Sequence, residues 1–352
     1  MPTIASGSGT SAADIYYEVR GDTPSTSNRE PHNPIEVNIL MIMGFGATLD
    51  CWEPQLDGLL RPEAKAPGAC VRICLLDNRG VGRSSSPAPP QAYSTSIMAD
   101  DCIAVLDVLQ WEQVHVIGHS MGAMVATQLA SMHPEKFLSL TLISVTAGRW
   151  QAVPTNWAAI KYAWQTLWAK CIEDRAKVDL KLHFMRKTLN EVDAKHRRTR
   201  RDLLHEEYVE GQKGGGVGQP DAGFKGQLHT VWTHRVDDKQ IAAIKSGKFP
   251  MMVIHGRYDI LAAPKHGEKL AARLECPCMM LEGAHFVTRE CGPEINLLLN
   301  HMVYHGQRIH NNPRKYLKPA SYKPVDLQNG TIISGQGSDQ MTRPVDVSIV
   351  LE

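Results

Sequence analysis

Val114-His115-Val116-Ile117-Gly118-His119-Ser120-Met121-Gly122-Ala123-Met124-Val125-Ala126 decides how this chain folds. Residues 114–117 read as a short strand. From 121 to 132 the pattern is helical, and His133-Pro134 ends it. Between them stands G-x-S-x-G, the context in which a serine sits on a strained strand-to-helix turn with its hydroxyl presented at the sheet edge. Only small residues at 118 and 122 let strand and helix pass so closely. Gly122, Ala126 and Ala130, four apart, keep one helix face smooth for packing. The helix N-terminus adds a positive dipole end under the reacting atoms. Ser120 is therefore the candidate nucleophile, set against the bland reading of a structural turn.

Working outward, β-rich runs alternate with helical ones, the signature of a mostly parallel sheet covered by helices. Residues 15–19 alternate like a half-buried edge strand and stop at Gly21-Asp22. The runs 35–43 and 71–76 are continuously apolar, as in strands buried on both faces. A helix is expected over 97–109 with Ser94-Thr95-Ser96 as its cap, and a strand over 140–144. Between Thr146 and Lys248 the sequence turns helical and rich in Trp and Arg. The alternation then resumes with strands at 251–255 and 279–281 and helices near 265–274 and 293–304. The expected organisation is a core over 1–145 and 249–305, an inserted helical cap over 146–248, and a poorly ordered tail over 306–352, rich in Pro, Asn, Ser and Gly.

A serine hydroxyl needs a base. In the run from Met251 to Asp259, a strand and a Gly turn carry Asp259 just past a strand's carboxyl end. Leu281-Glu282-Gly283-Ala284-His285 repeats that geometry one strand later with a histidine. Ligands bind outside those ends in open α/β sheets. Asp259 could be a turn-former and His285 a surface-loop residue, but both bland readings would have to hold together. His255 lies inside a strand end and is set aside as the base. For the oxyanion, the backbone N–H of Met121 is one donor. The other is Phe45, in Met43-Gly44-Phe45-Gly46-Ala47-Thr48, where glycines let the backbone turn inward. A phosphate cradle is excluded there because no Lys-Ser/Thr follows.

Composition narrows the classes. Thirty-eight Lys plus Arg stand against 37 Asp plus Glu, a net charge of +1, so the overall balance points to neither nucleic acid nor an anionic membrane as the main partner. No apolar run approaches the ~20 residues of a membrane span. Met1 to Ser11 shows no secretory signal. Eight cysteines make no metal pattern and read as reduced cytosolic thiols. Neither metal nor cofactor is expected.

Over about residues 13 to 305 the sequence resembles the α/β-hydrolase superfamily, in its capped, serine esterase- or lipase-like branch. Besides the elbow, Asp77-Asn78-Arg79-Gly80-Val81-Gly82-Arg83-Ser84 looks like that family's D-x-R-G-x-G-x-S turn after the fourth strand, read here as structural. Gly223-Phe224-Lys225-Gly226-Gln227, followed by Trp232-Thr233-His234, resembles lipase- or esterase-like members. The resemblance implies an eight-stranded sheet, a cap inserted after strand 6 and the chain order Ser, Asp, His. Many members have His-Gly before the oxyanion residue, whereas Met43 precedes Gly44 here. Ser120 separates the chain from the haloalkane dehalogenase and epoxide hydrolase branches, which use an Asp nucleophile.

The expected function is cleavage of an ester-like bond: a carboxylester, of which acylglycerols and lysophospholipids are examples. The alternative is a small-molecule receptor on the same fold. Gly44, His119, Trp164, Trp168 and His234 complete the expected substrate pocket. Trp157, Trp164 and Trp168 share a helix face with Ile160, Leu167 and Cys171, a stripe expected to pack between cap and core and to cover an apolar acyl site. The basic run 195–201 is expected on a solvated helix face, and the Gly-rich run 211–218 as a flexible loop.

Overall fold

The computed structural model describes residues 2–23, 35–153, 156–169, 171–213 and 219–311, with two short pieces at 325–326 and 331–332. Among these residues eight strands form one sheet in the order β1-β2-β4-β3-β5-β6-β7-β8: β1 Thr3–Ser6, β2 Ala13–Gly21, β3 Ile35–Ile42, β4 Ala69–Leu76, β5 Val114–His119, β6 Phe137–Ile143, β7 Met251–Gly256 and β8 Cys278–Leu281. β1 and β2 pair antiparallel, as do β2 and β4, and every later pairing is parallel. The run 15–19 is thus not the edge. Thr3–Ser6 pairs outside it, Thr3 opposite Tyr16, and is too short to announce itself in the sequence.

The parallel strands are almost wholly buried because helices cover both faces. On one face lie α2 Thr95–Val108, α3 Met121–Met132, α9 Asp238–Ser246 and α10 Pro264–Leu274. Leu40, Val116, Leu129, Leu140 and Ile244 lie in that core. The other face is covered by α1 Glu53–Leu59, α11 Val287–Glu290 and α12 Gly292–Asn311, over Trp52, Ile117, Ile254 and Leu299. Ser94 caps α2 as expected, its Oγ accepting from Ile97 N.

Between β6 and β7 come α4 Trp157–Leu167, α5 Ile172–His183, α6 Arg186–Asn190, α7 Arg200–Lys213 and α8 Asp221–Thr233. This insertion has a narrow neck. Gly148 pairs with Arg235, and Arg149 N donates to His234 O at 2.9 Å. The helical stretch expected to end the insertion near 248 instead returns to the core before that. Val236, Ile241, Ile244 and Phe249 are buried with the sheet. The last helix also runs past its expected end near Tyr304, to Asn311. Gly306 packs so tightly that a Cβ there would lie 2.4 Å from Leu138 O. The tail beyond Asn311 and most of the Gly-rich run lie outside the described residues, apart from a two-residue ladder pairing Val325–Asp326 with Thr331–Ile332. The basic run forms a turn, not a helix face, up to Arg200, where α7 begins. Among the described residues no helix is long and apolar enough to cross a membrane.

Candidate active site

The elbow is built as its glycines require. Ser120 sits at φ 54°, ψ −120°, between β5 and α3, a conformation side chains other than glycine rarely adopt. Ile143 O accepts from Ser120 N at 2.8 Å, tying the turn to the neighbouring strand. A Cβ on Gly118 would meet Ala123 Cα at 2.6 Å, and one on Gly122 would meet Ile42 O at 2.1 Å. The strain is therefore held from both sides.

Three strand ends then converge. His285 Nε2 lies 2.9 Å from Ser120 Oγ, and His285 Nδ1 lies 2.8 Å from Asp259 Oδ2. Asp259 Oδ1 accepts from Leu261 N and Ala262 N, both at 2.9 Å, which fixes the carboxylate plane. Burial alone would raise the Asp259 pKa. Attraction to His285 and hydrogen bonds from His255 and His285 instead hold it well below the usual carboxylate range.

His255, set aside in the sequence, is part of this assembly. Its Nε2 lies 2.7 Å from Ala262 O and 3.3 Å from Asp259 Oδ2. Both neighbours are acceptors, so Nε2 carries the proton. Nδ1 faces Gly267, where a Cβ would come within 2.5 Å. Asp259 thus holds two imidazoles. No sequence signal marks His255 as a partner except its spacing of four from Asp259 across a Gly turn.

His119 does not line an open pocket. Its ring is buried, stacked on Phe286 at 5.1 Å, with Nε2 2.9 Å from His285 O. A carbonyl can only accept, so Nε2 donates. Burial pushes the His119 pKa down to about 3 and keeps the ring neutral. Ser144 Oγ donates to the same carbonyl at 3.0 Å. Ser144, at φ 53° just past β6, was missed in the sequence because nothing distinguishes it from other strand-end serines. Glu290 ties the same loop to the insertion, accepting from Ala284 N at 2.5 Å and Met185 N at 2.8 Å. Phe286 N donates to His183 O at 2.9 Å.

The loop carrying Gly44 and Phe45 passes directly over the nucleophile: a Cβ on Gly44 would lie 3.0 Å from Ser120 Cβ. Two buried amides brace it. Asn78 Nδ2 donates to Met43 O at 2.7 Å, and Gln227 Oε1 accepts from Gly46 N at 2.8 Å. Among the described residues neither Phe45 N–H nor Met121 N–H is taken up by a protein acceptor. The stretch Gly223–Gln227 is therefore a packing seam. Cβ atoms on Gly223 and Gly226 would strike Gly80 O at 1.9 Å and the Tyr93 ring at 2.2 Å. Phe224 meets the Phe45 ring edge-on at 5.3 Å.

Three further residues expected in the pocket lie elsewhere. His234 is buried at the neck of the insertion, its Nδ1 3.2 Å from Thr95 Oγ1, and burial pushes its pKa down to about 4. Trp164 and Trp168 are exposed, packed on each other at 5.5 Å, and line a shallow groove with Asp174 and Val178 of α5, not with the Ser120 loops. The expectation that this stripe packs between cap and core is overturned. The opposite side of α4 is the inner one: Ala159 is buried, and Thr166 Oγ1 lies 3.2 Å from Asp179 Oδ1 of α5 and 3.1 Å from Tyr162 O.

Buried neutral imidazoles carry a pH consequence. Burial pushes the pKa of His115 to about 4, His119 to about 3 and His234 to about 4, from an ordinary 6.5. As pH falls from 6.5 towards 4 the unfolded chain takes up protons that the folded chain refuses, so stability falls with pH across that window. Thermal melts at about pH 7 and about pH 4.5 should show a clear drop in Tm, smaller in His234→Gln. A Tm flat over that range would contradict it.

With this geometry in place, the comparisons with known proteins read directly. The family model described as the α/β hydrolase fold matches residues 37–297. The chain belongs to the α/β-hydrolase family. Among curated relatives, it is 33% identical over 133 residues to the provisionally named carbamate hydrolase RutD of Azorhizobium caulinodans, covering 38% of this chain and 41% of that one. It is 35% identical over 112 residues to epoxide hydrolase B of Mycobacterium tuberculosis, covering 32% and 30%. The matches thus span about two fifths or less of these relatives' lengths. Among solved structures, the enol-lactonase of Burkholderia xenovorans superposes with a TM-score of 0.63 at 19% identity, over 83% of this chain and 97% of that one. That likeness speaks for the fold. A hydrolase of this family is the activity these relatives share by name. Among the described residues no group of three or more His, Cys, Asp or Glu could hold a metal ion.

Proposed function

We propose that this hydrolase is a serine hydrolase that cleaves a carboxylester-like bond through an acyl-enzyme, on an uncharged or single-chain acyl substrate. The observation that carries the reading is the unbroken chain from Ser120 Oγ through His285 to Asp259, at 2.9 and 2.8 Å. His285 Nε2 takes the Ser120 proton as Oγ attacks the carbonyl carbon. The Nδ1–H held by Asp259 fixes the tautomer that makes this possible. Charge then develops on the carbonyl oxygen, where the N–H groups of Phe45 and Met121 receive it. One such donor is worth ~2.7–4 kcal/mol in the transition state. His285 returns the proton to the departing alcohol, and water repeats the cycle to release the acid.

His119, Ser144 and His255 act as positioning residues in this scheme. The first two hold the His285 carbonyl, and the third holds Asp259. The insertion between β6 and β7 serves as the cap, tied to the catalytic histidine loop through Glu290 and His183. This chain has Ser120, not an Asp, at the elbow.

The test is steady-state hydrolysis of p-nitrophenyl butyrate. Many turnovers per molecule are expected. A single slow turnover that stops at one equivalent would replace this reading by that of a ligand receptor on the same fold.

A further inference from the structure

The seven tryptophans divide sharply. Trp52 and Trp111 are buried in the core, whereas Trp150, Trp157, Trp164, Trp168 and Trp232 are between 56 and 83% exposed. Trp157, Trp164 and Trp168 follow one face of α4 together with exposed Ile160. Trp150 packs edge-on against Trp232 of α8 at 6.2 Å, beside exposed Leu228. Water gives such rings no compensation, and apolar surface concentrated this way marks an interaction site.

The charge pattern selects the partner. From Lys136 to Ile172 the sequence contains four basic residues and no Asp or Glu, with Glu173 and Asp174 following directly. Of the four, Arg149 and Lys161 lie in the segment of the exposed tryptophans, whereas Lys136 pairs with Asp107. Arg149 and Lys161 are exposed beside the tryptophans. The exposed carboxylate at this groove, Asp174, is already paired with Lys177 at 3.0 Å, so two copies meeting through this face about a two-fold axis would bring the remaining cations, Arg149 and Lys161, against each other. Phosphates at the surface of a bilayer complement those cations, and indole rings prefer the headgroup boundary, where an apolar body and a polar N–H are both accommodated. A helix with aromatic residues on one face and a basic flank is the form of an interfacial, non-spanning contact.

We propose that the tryptophan face of the α4 segment docks onto the surface of an anionic phospholipid bilayer. Docking there brings the insertion, and the Ser120 site to which Glu290 and His183 couple it, to the membrane surface. The binding itself does not depend on ester hydrolysis.

The test is co-sedimentation of the full chain with phosphatidylcholine vesicles, with and without about a third phosphatidylglycerol. Wild type and Ser120→Ala should both pellet with the anionic vesicles, and more weakly with the neutral ones. Trp157→Ala/Trp164→Ala/Trp168→Ala should bind at least about tenfold more weakly. Its circular dichroism and Tm should stay unchanged, since these rings are exposed. The single Trp157→Ala, at the most exposed ring, should show a smaller loss of the same sign. Lys161→Glu should weaken binding to the anionic vesicles alone. Two results overturn the proposal: wild type remaining in the supernatant with both vesicle types, or a wild-type dimer in light scattering that the triple variant converts to monomer.

Discussion

Ser120→Ala is expected to lower kcat/KM on p-nitrophenyl butyrate by about 10⁴- to 10⁶-fold, with the fold intact. Alanine removes one oxygen from a residue whose backbone is held by Ile143 O and by the close packing of Gly118 and Gly122. The elbow should therefore persist without its nucleophile. His285 and Asp259 contribute only through Ser120, so their effects cannot add to its loss. Ser120→Ala/His285→Ala should leave nearly the same residual rate as Ser120→Ala alone. A fluorophosphonate probe should label wild type and spare the alanine variant. Labelling that persists at another serine, or a further large loss in the double variant, would move the chemistry to other residues.

Arg79→Met should cost about 3–5 kcal/mol of stability, the largest effect expected outside the catalytic groups. The Arg79 guanidinium is fully buried and grips Asp101 through two bonds of 2.6 Å. Its Nη1 also donates to Ser11 O and Ala92 O. Methionine fills much of the same volume but leaves the Asp101 carboxylate buried with no counter-charge. Arg79→Met/Asp101→Leu removes both charges and should recover much of the loss. Arg257→Met, which breaks the exposed pair with Glu282, should change stability by no more than about 1 kcal/mol. Urea unfolding of the three variants decides the matter. An Arg79→Met protein within about 1 kcal/mol of wild type would mean that the pair adds little net stability.

The Arg79 case explains why the D-x-R-G-x-G-x-S turn is structural. Its polar residues hold the loop after β3 and brace the turn itself. Asp77 accepts from Leu49 N and Arg83 N, Asn78 holds Met43 O, and Ser84 Oγ donates to Asp77 O. A Cβ on Gly82 would lie 2.3 Å from an Asp77 carboxylate oxygen. The turn thereby shapes the loop over the nucleophile, through Asn78 on Met43 O and Asp77 on Leu49 N.

Alternating hydrophobic runs and an elbow bounded by glycines were enough, in the sequence alone, to read a mostly parallel sheet, and together with the family resemblance they put forward Ser120, Asp259 and His285 as candidates in that order. Those signals are local. A strand's apolar run, a helix stop at His133-Pro134 and a Gly turn before Asp259 depend on neighbours in the chain. Tertiary structure alone decided the rest. Periodicity shows that Trp157, Trp164 and Trp168 share a face, but a helical period fixes relative angles only. The direction of that face follows from the packing of α4 on α5, which leaves Trp157, Trp164 and Trp168 exposed and turns Thr166, on the opposite side, towards Asp179. Likewise His119, Ser144 and His255 are ordinary residues in one dimension. They support the candidate triad because β5, β6 and β7 end side by side, which places two donors on the His285 carbonyl and a second imidazole on Asp259.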